Sequence, residues 1–189
     1  MNKKIETHKI GLVGQAPSRR GDPRKPLAGP NGRKFARLAG MSYDELIACR
    51  RKHLNTHYSG KRGKANAFDH AKGNFNAADV LMDWRVERIV LLGKNVARCF
   101  GFRDVPFLAE IRIYGRRFFI FPHPSGVNRW WNERRARQLL QRFLRGERIP
   151  LDSESVDVPL GHAQRQFRPA RPRTAPAVRS RDASPIADA

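Results

Sequence analysis

The sequence predicts a three-layer α/β/α domain built around a central, mostly parallel sheet of four to five strands. Short apolar runs alternate along the chain with segments of helical periodicity, which is the pattern of this fold class. One continuous apolar run, residues 118–121, stops at a polar turn that begins Pro122-His123-Pro124. Open α/β sheets carry their ligand chemistry at such strand ends, so we expect a functional site there.

The predicted strands are five short runs at residues 10–13, 54–58, 88–92, 111–114 and 117–121. The last two are separated by Gly115 and are expected to pair as a hairpin. The first strand breaks directly into Gly14-Gln15-Ala16-Pro17-Ser18. Loops that follow strands at opposite ends of one domain can converge, so this loop and the His123 loop are predicted to share a cleft.

Helices are predicted at residues 32–39, 42–51, 76–84 and 94–100, followed by one more near the end of the domain. Ser42 with Glu45 three residues later has the spacing of a capping box. In the last helix the apolar residues recur at i, i+3, i+4, i+7 and i+8, with arginines on the other side. This spacing predicts a stripe that faces the core, made of Ala136, Leu139, Leu140, Phe143 and Leu144.

Residues 1–149 are predicted to form one domain and residues 150–189 a disordered tail. From residue 164 onward Pro, Ala, Arg and Ser dominate, and such a segment buries too little apolar surface to fold. The two cysteines, Cys49 and Cys99, make no disulfide framework and are expected as buried free thiols. No apolar run approaches membrane-spanning length and the N-terminus lacks a signal-peptide pattern, so a cytoplasmic or nucleic-acid-associated protein is expected.

The charge of the chain indicates a polyanionic partner. There are 38 Lys+Arg against 17 Asp+Glu, a net charge of +21. Residues 150–189 hold 6 Arg and 5 acidic residues, which leaves 32 basic and 12 acidic residues, a net +20, on residues 1–149. A merely solvated charged surface is the alternative, but an excess this large costs self-repulsion unless a polyanion relieves it. We therefore expect a polyanion as the partner, and we expect the protein to be a monomer.

Five short segments, in this order along the chain, resemble the motifs of the uracil-DNA glycosylase superfamily. The first two resemble those of its family-four branch, and the last is similar to the Asn-Pro-Ser-Gly-Leu-Asn-Arg loop of the mismatch-specific branch, with His in place of the first Asn. The segments are Gly14-Gln15-Ala16-Pro17-Ser18, Pro26-Leu27-Ala28-Gly29-Pro30-Asn31-Gly32, Leu54-Asn55-Thr56, Val90-Leu91-Leu92-Gly93 and His123-Pro124-Ser125-Gly126-Val127-Asn128-Arg129.

The resemblance implies an enzyme that flips a nucleotide out of DNA and cuts its glycosidic bond. His123 would then donate a hydrogen bond to the departing base, with backbone N–H groups around Gln15 and Ala16 as further donors. Asn55 would read the pyrimidine edge and Leu27 would form an apolar platform. The DNA-binding residues implied are Ser18 and Ser125 for phosphates, Val127 as the wedge, and the surrounding Pro124, Gly126, Asn128 and Arg129.

Departures from the family pattern bear on catalysis. Ala16 stands where several branches have a water-activating Asp or Asn, and Gln15 stands where family four has a glutamate, so neither can act as a general base. Asp22, the only carboxylate in that loop, is the candidate substitute. Leu27 replaces a phenylalanine that stacks on uracil. Two cysteines cannot supply the four thiolates of the family-four iron-sulfur cluster, so no cofactor and no metal are expected.

Several residues have plainer interpretations that the sequence leaves open. His123 could be a structural histidine at a strand end, and Asn55 could satisfy backbone groups in a turn. His53 and His57 are four apart, a spacing seen in metal sites, but no carboxylate or cysteine accompanies them. For the whole protein, the alternatives are a non-catalytic DNA- or modified-base-binding member of the same fold, or a base-modifying transferase that reuses the pocket.

Overall fold

The structure is a computed structural model that describes residues 4–17, 22, 24–56, 68–124 and 133–149. Within these ranges the chain forms one five-stranded sheet covered by helices on both faces. The predicted tail at 150–189 lies outside the described residues, so the domain boundary at 149 stays a prediction. No helix in the described ranges has the length and apolar character needed to cross a membrane.

The sheet has the order β2-β1-β3-β5-β4. Its strands are β1 (Ile10–Gly14), β2 (Arg50–His53), β3 (Arg88–Leu92), β4 (Glu110–Ile113) and β5 (Arg116–Phe121). The β2–β1, β1–β3 and β3–β5 pairs are parallel, and β4 joins β5 antiparallel at one edge. The predicted mostly parallel α/β class is therefore confirmed.

In the described part of the chain, five helices and a 3₁₀ turn at Thr7–Lys9 accompany the sheet. They are α1 (Pro30–Ala39), α2 (Tyr43–Ala48), α3 (His70–Asp83), α4 (Lys94–Cys99) and α5 (Arg134–Leu144). Alternate residues of the central strands pack to opposite sides, as the two-residue period of a strand requires. Val90 and Phe119 join the core formed with α1, α2 and α5, whereas Ile89 and Phe118 join the core formed with α3 and α4.

Local sequence signals explain several boundaries. The Ser42 hydroxyl accepts a hydrogen bond from Glu45 N at 3.0 Å and the Glu45 carboxylate accepts one from Ser42 N at 2.7 Å, so the predicted capping box is confirmed. All five stripe residues of α5 are buried, as predicted. The predicted hairpin is also confirmed: Tyr114 and Gly115 both have positive φ, 52° and 72°, as a two-residue turn between twisted strands requires.

The predicted strand at 54–58 is wrong, because β2 comes four residues earlier. β2 contains the polar residues of Arg50–His53, which hydrophobic periodicity does not recognise. As an edge strand, β2 carries charged side chains held by polar contacts instead of a core. Arg51 Nη1 donates to Pro26 O at 2.7 Å, and Lys52 Nζ pairs with Asp79 Oδ2 at 2.9 Å. The predicted helix at 42–51 correspondingly stops at Ala48.

Helix α3 begins at His70, six residues before the predicted start at 76. The Asp69 carboxylate accepts a hydrogen bond from Lys72 N at 3.1 Å, so Asp69 is the N-cap that starts the helix. Hydrophobic periodicity did not identify this start, because the first turns of the helix contain lysine and glycine. Gly73 is required inside α3, because a Cβ at this position would lie 2.7 Å from the Cys99 sulfur.

The order of the strands locates the cleft. From β1 the chain moves to β2 on one side, and from β2 it crosses to β3 on the other side of β1. Parallel sheets open a crevice at the carboxyl ends of two such strands, where the direction of winding reverses. The crevice therefore lies at the carboxyl ends of β1 and β3, beside Gln15 and Gly93.

The packing of α5 on the sheet yields a stability prediction. Phe143 is fully buried and stacks on Phe119 with ring centroids 5.0 Å apart, while the Arg117 guanidinium lies 5.1 Å from its centroid. We expect Phe143→Ala to lower the free energy of unfolding by about 3 to 5 kcal/mol in urea denaturation. Phe75→Ala is the control, because Phe75 is 71% exposed and its loss should cost less than about 0.5 kcal/mol. Equal effects of the two changes would contradict the assigned packing.

Candidate functional site at the carboxyl edge of the sheet

Four neighbouring strands end side by side at one edge of the sheet. Gln15 follows β1, Asn55 lies two residues after β2, Gly93 follows β3 and His123 lies two residues after β5. Backbone hydrogen bonds continue beyond the strands and join these loops. Asn55 N donates to Gln15 O at 2.9 Å, and Gly93 N donates to Phe121 O at 2.8 Å. Segments far apart in sequence are thus brought to one edge, as predicted for the β1 and His123 loops.

Leu27 is held against this edge by a tightly constrained turn. It is buried and has a φ of 57°, a left-handed conformation that a leucine adopts only when its surroundings impose it. Three contacts impose it: Arg51 bonds Pro26 O, the Tyr43 hydroxyl accepts from Gly29 N at 3.1 Å, and the Leu27 carbonyl packs onto Gly32. A Cβ on Gly32 would clash with Leu27 O, so only glycine permits this approach.

Gly14 allows two side chains to approach the end of β1. A Cβ at this position would lie 2.8 Å from His53 Cδ2, 3.3 Å from His53 Nε2 and 3.7 Å from Leu27 Cδ2. The imidazole of His53 and the Leu27 side chain therefore meet over the glycine. Sequence reasoning considered His53 only as a metal ligand with His57, which lies outside the described residues. The sequence did contain one indication of this contact. A glycine at the end of a buried strand, here Gly14, often marks a place where another segment of the chain packs close to the backbone.

His123 lies on the other side of the crevice. Its Cβ is 3.8 Å from the position of a Cβ on Gly93, and most of its side chain is buried. Burial lowers the pKa of His123 below its ordinary value of 6.5. An imidazole in this state is neutral at pH 7, and a neutral imidazole carries one N–H donor and one acceptor nitrogen.

His53 is also held neutral. Burial lowers its pKa to about 4, and the charges of His123 and then Arg51 act in the same direction. Burial thus keeps both imidazoles at this edge neutral at pH 7. The two neutral imidazoles can therefore donate and accept hydrogen bonds without placing positive charge in the site.

Asn55 is buried and its side chain is engaged by the backbone of Asp69. With the amide oriented to satisfy the surrounding groups, Nδ2 donates to Asp69 O at 3.1 Å and Oδ1 accepts from Asp69 N at 2.8 Å. Asn76 Nδ2 donates to the adjacent Leu54 O at 2.6 Å. These bonds connect the end of β2 to the start of α3. Asn55 therefore has the structural role that was the alternative to base recognition. Reading of a base by Asn55 stays a prediction.

Asp22 is exposed, and its Oδ1 accepts a hydrogen bond from Arg24 N at 2.8 Å. The carboxylate thus stabilises a turn in the loop between β1 and α1. Its role as the base that activates water stays a prediction. Gln15 and Ala16 are half-buried at the crevice, and Pro124 is buried after His123. The predicted DNA-binding residues that lie outside the described part of the chain are Ser18, Ser125, Gly126, Val127, Asn128 and Arg129.

The thiols are on opposite faces of the sheet. Cys49 belongs to the core with α1, α2 and α5, and Cys99 to the core with α3 and α4. Burial raises the pKa of Cys49 to about 12 and that of Cys99 to about 11, so both stay protonated and poorly suited to bind metal. Among the described residues no group of three or more His, Cys, Asp or Glu side chains is arranged to hold a metal ion.

Cations surround the carboxyl edge. Lys94 follows Gly93 directly, is exposed, and its Nζ lies 5.4 Å from the Phe107 ring centroid. Arg33, in the first turns of α1 after the Leu27 loop, lies over Tyr43 at 4.8 Å. Aromatic contacts hold these side chains near the site while their charges stay in solvent. Lys94 and Arg33 therefore place positive charge in solvent near this edge, whereas His53 and His123 inside it are neutral.

A scan of the chain against protein-family models and a search of curated proteins both find no match.

The neutral state of His53 predicts how stability depends on pH. The unfolded chain takes up this proton near pH 6.5 and the folded chain only near pH 4, so stability is complete above pH 6.5 and lost as the pH falls towards 4. The loss attributable to His53 is on the order of 3 kcal/mol at pH 4. We expect His53→Asn to flatten this dependence in urea denaturation at pH 7 and pH 4.5. His70→Asn, a change at an exposed histidine of α3, should leave it as in the parent, and equal curves for all three proteins would refute the assignment.

Proposed function

We propose that the protein binds DNA and excises uracil or a related modified pyrimidine, as members of the uracil-DNA glycosylase superfamily do. One observation carries the proposal: four of the five segments that resemble the ordered motifs of this superfamily lie at the carboxyl ends of four adjacent strands, the edge where open α/β sheets carry their ligand chemistry. The charge of +20 on residues 1–149 supports DNA as the polyanion that this edge meets.

The chemistry proposed for the edge begins with the bond between the sugar C1′ and the base nitrogen. As this bond breaks, the electron pair leaves with the base, which becomes an anion, and the sugar becomes electron-poor. The N–H of neutral His123 donates to the base oxygen that gains charge. Backbone N–H groups at Gln15 and Ala16 add further stabilisation, while Leu27 supports the ring. Water then adds to C1′, and the proton that it loses neutralises the departed base anion.

A non-catalytic base binder is the second candidate, and the state of the water-activating group favours it. Ala16 and Gln15 cannot take a proton from water. Asp22 is exposed and accepts a hydrogen bond from the Arg24 backbone instead of pointing a free carboxylate into the crevice. A protein with this edge could recognise a modified base without cutting the bond.

The deciding experiment uses oligonucleotides that carry uracil, hydroxymethyluracil, hypoxanthine or a mismatch. Each is incubated with the full chain, and abasic sites are then cleaved with alkali. Strand breakage at a pyrimidine lesion supports the glycosylase. Tight binding of a lesion without breakage in any substrate would overturn hydrolysis and support the base binder, and equal affinity for all DNA without breakage would overturn both.

The transition-state role of His123 predicts the effect of its removal. Because the hydrogen bond strengthens as charge develops on the base, His123→Ala should slow single-turnover base release by about 10² to 10³ and leave DNA affinity almost unchanged. His70→Ala is the matched control, since it removes an exposed imidazole from α3. Base release by His123→Ala at the parent rate would show that the assigned role is wrong.

The positive charge near this edge predicts steep salt dependence of DNA binding. Neutralised phosphates release counterions, so the affinity should fall strongly between low and physiological salt. Lys94→Ala should reduce the slope of log K against log salt by about 1 if Lys94 contacts a phosphate. Arg85→Ala removes an equally exposed cation that lies before β3, at the opposite edge of the sheet, and should leave the slope unchanged. A salt-independent affinity would refute the polyanion-binding proposal.

A further inference from the structure

Helices α1 and α5 lie side by side on one face of the sheet and run in the same direction. Phe143, in the last turn of α5, lies under the guanidinium of Arg117, the second residue of β5. The last turn of α5 is therefore near the amino edge of the sheet, and its first turn is near the carboxyl edge. The first turn of α1 packs on Leu27 at the carboxyl edge, and Gln141 Nε2 donates to Leu38 O at 3.2 Å near the ends of both helices.

The helices of this face differ in charge from those of the other face. α1 contains three basic residues and α5 four, and neither contains an acidic residue. α2, which packs on α1, adds Asp44 and Glu45, and Glu45 is used in the capping box. On the other face, α3 and α4 together contain three basic and two acidic residues. The positive charge of the domain is thus concentrated on the face that carries α1 and α5.

Most of these cations have no anionic partner inside the protein. Glu147 pairs with Arg142 at 3.3 Å and with Arg145 at 3.6 Å, at the end of α5 near the amino edge. Five other cations, which we call the α1–α5 face, form no ion pair within the described ranges: Arg33, Lys34, Arg37, Arg134 and Arg137. A cluster of like charges repels itself unless an outside anion neutralises it.

The first turn of α5 is an unfavourable place for positive charge. It contains Arg134 and Arg135 and no acidic residue. Because the N-terminus of a helix carries partial positive charge, cations in the first turn destabilise the helix. These arginines therefore do not serve the stability of α5, whereas an anion bound beside them would relieve the repulsion.

The spacing of the cations suits a chain of phosphates better than a single one. Arg33 and Arg37 are four residues apart on one side of α1, about 6 Å along its axis. Arg134 and Arg137 are three apart on one side of α5, and packed helices have axes about 8 to 10 Å apart. One phosphate cannot contact both rows at once, but successive phosphates of a nucleic acid backbone can.

The rest of the exposed surface excludes a lipid surface as the partner. The large apolar side chains exposed in the described residues all lie outside α1 and α5: Ile47, Phe75, Met82 and Tyr114. A helix that lies on a membrane needs an exposed apolar side, and here the apolar residues of both helices are in the core. Asn31 and Gln138 are exposed beside the cations, and such amides also bind phosphate oxygens.

We propose that the α1–α5 face binds the phosphate backbone of duplex DNA on one flank of the crevice, so that the duplex lies over α1 and α5 and not over α3 and α4. Both helices begin near the carboxyl edge, so this face is continuous with the crevice. The inference rests on the proposed function in taking DNA as the polyanion that reaches this edge. It requires neither recognition of a base nor cleavage of the glycosidic bond.

The test compares two triple variants of the full chain that have the same net charge. The face variant combines Arg37→Gln, Arg134→Gln and Arg137→Gln. None of these three side chains has a hydrogen bond or ion pair within the described ranges, and glutamine is a good helix former, so the fold should be retained. Fluorescence anisotropy measures the affinity for a short unmodified DNA duplex between about 50 and 200 mM salt.

The control variant combines Lys72→Gln, Arg98→Gln and Arg103→Gln, which are exposed cations of α3, of α4 and of the loop after α4. The face variant should lower the slope of log K against log salt by about 2 to 3, because each lost phosphate contact lowers it by about 1. Its affinity at about 50 mM salt should fall roughly 10-fold or more. The control should change the slope by less than about 0.5. Equal losses in the two variants would overturn the inference.

A second measurement needs no variant. Lysines of the full chain are acetylated with and without the duplex, and the modified positions are identified by mass spectrometry. The duplex should protect Lys34 of α1 and leave Lys72 of α3 as reactive as in the free protein. An unchanged reactivity of Lys34, or protection of Lys72 in its place, would overturn the inference.

The outcomes separate this inference from the proposed function. If the parent neither releases nor prefers any base, but only the face variant loses affinity for the duplex, the inference stands while both candidate functions fail. If the parent releases a base and the face variant retains the parent's affinity and slope, the inference is overturned while the glycosylase stands. Tighter binding to RNA or to phosphatidylserine vesicles than to duplex DNA, lost in the face variant, would also overturn it. A parent that binds no DNA overturns both.

Discussion

The parallel pairing of β1 with β3 is the constraint on which the rest of the molecule depends. It requires the backbone of β1 to lie close to Trp84, since a Cβ on Gly11 would lie 2.6 Å from that ring. β2 then pairs with β1 and β5 with β3, one on each side of this central pair, and all four parallel strands end at one edge. The loops that follow these strands come from four separate parts of the sequence. The alignment of the strands alone brings them together. The site is thus a consequence of sheet register.

The two histidines at this edge are neutral, although the chain as a whole carries a large positive charge. A protein with net charge +21 creates a positive potential that already attracts phosphates, so further positive charge inside the crevice would not distinguish a base from the backbone around it. Burial instead holds His53 and His123 neutral. In the proposed function, the exposed cations would supply affinity for DNA and the buried imidazole of His123 would supply a hydrogen bond to the base.

The sequence predicted the fold where apolar patterning decides it and failed where polar contacts do. β3 and the stripe of α5 follow directly from periodicity, because burial on one or both faces needs apolar side chains. β2 was misplaced because Arg51 and Lys52 are held by Pro26 O and Asp79, partners that are distant in sequence. The positive φ of Leu27 is likewise imposed by tertiary contacts, which no local pattern contains.

The candidate site was predicted in part for the same reason. Motif order selected His123 and Gln15, and the sheet brings their loops to one edge. The same motif reasoning gave Asn55 a ligand, although its amide bonds the backbone of Asp69, a residue 14 positions away. Motif reasoning assigned no ligand to His53. The feature that distinguishes His53 is its packing against Gly14 of the neighbouring strand, which no motif contains. Residues whose importance comes from tertiary packing are those that sequence reasoning missed.

The two halves of the proposed reaction are supported unequally by this architecture. Departure of an anionic base is favoured by the N–H of His123, by backbone donors at the end of β1 and by the positive field of the domain. Activation of water has only Asp22, which is exposed and bonded to the Arg24 backbone. A glycosylase with these residues would therefore break the bond to the base first and depend little on a basic group, since water adds readily to an electron-poor sugar. In such an enzyme the absence of a carboxylate at Ala16 would limit the rate without abolishing the chemistry, and the strength of the hydrogen bonds to the leaving base would decide between an enzyme and a binder.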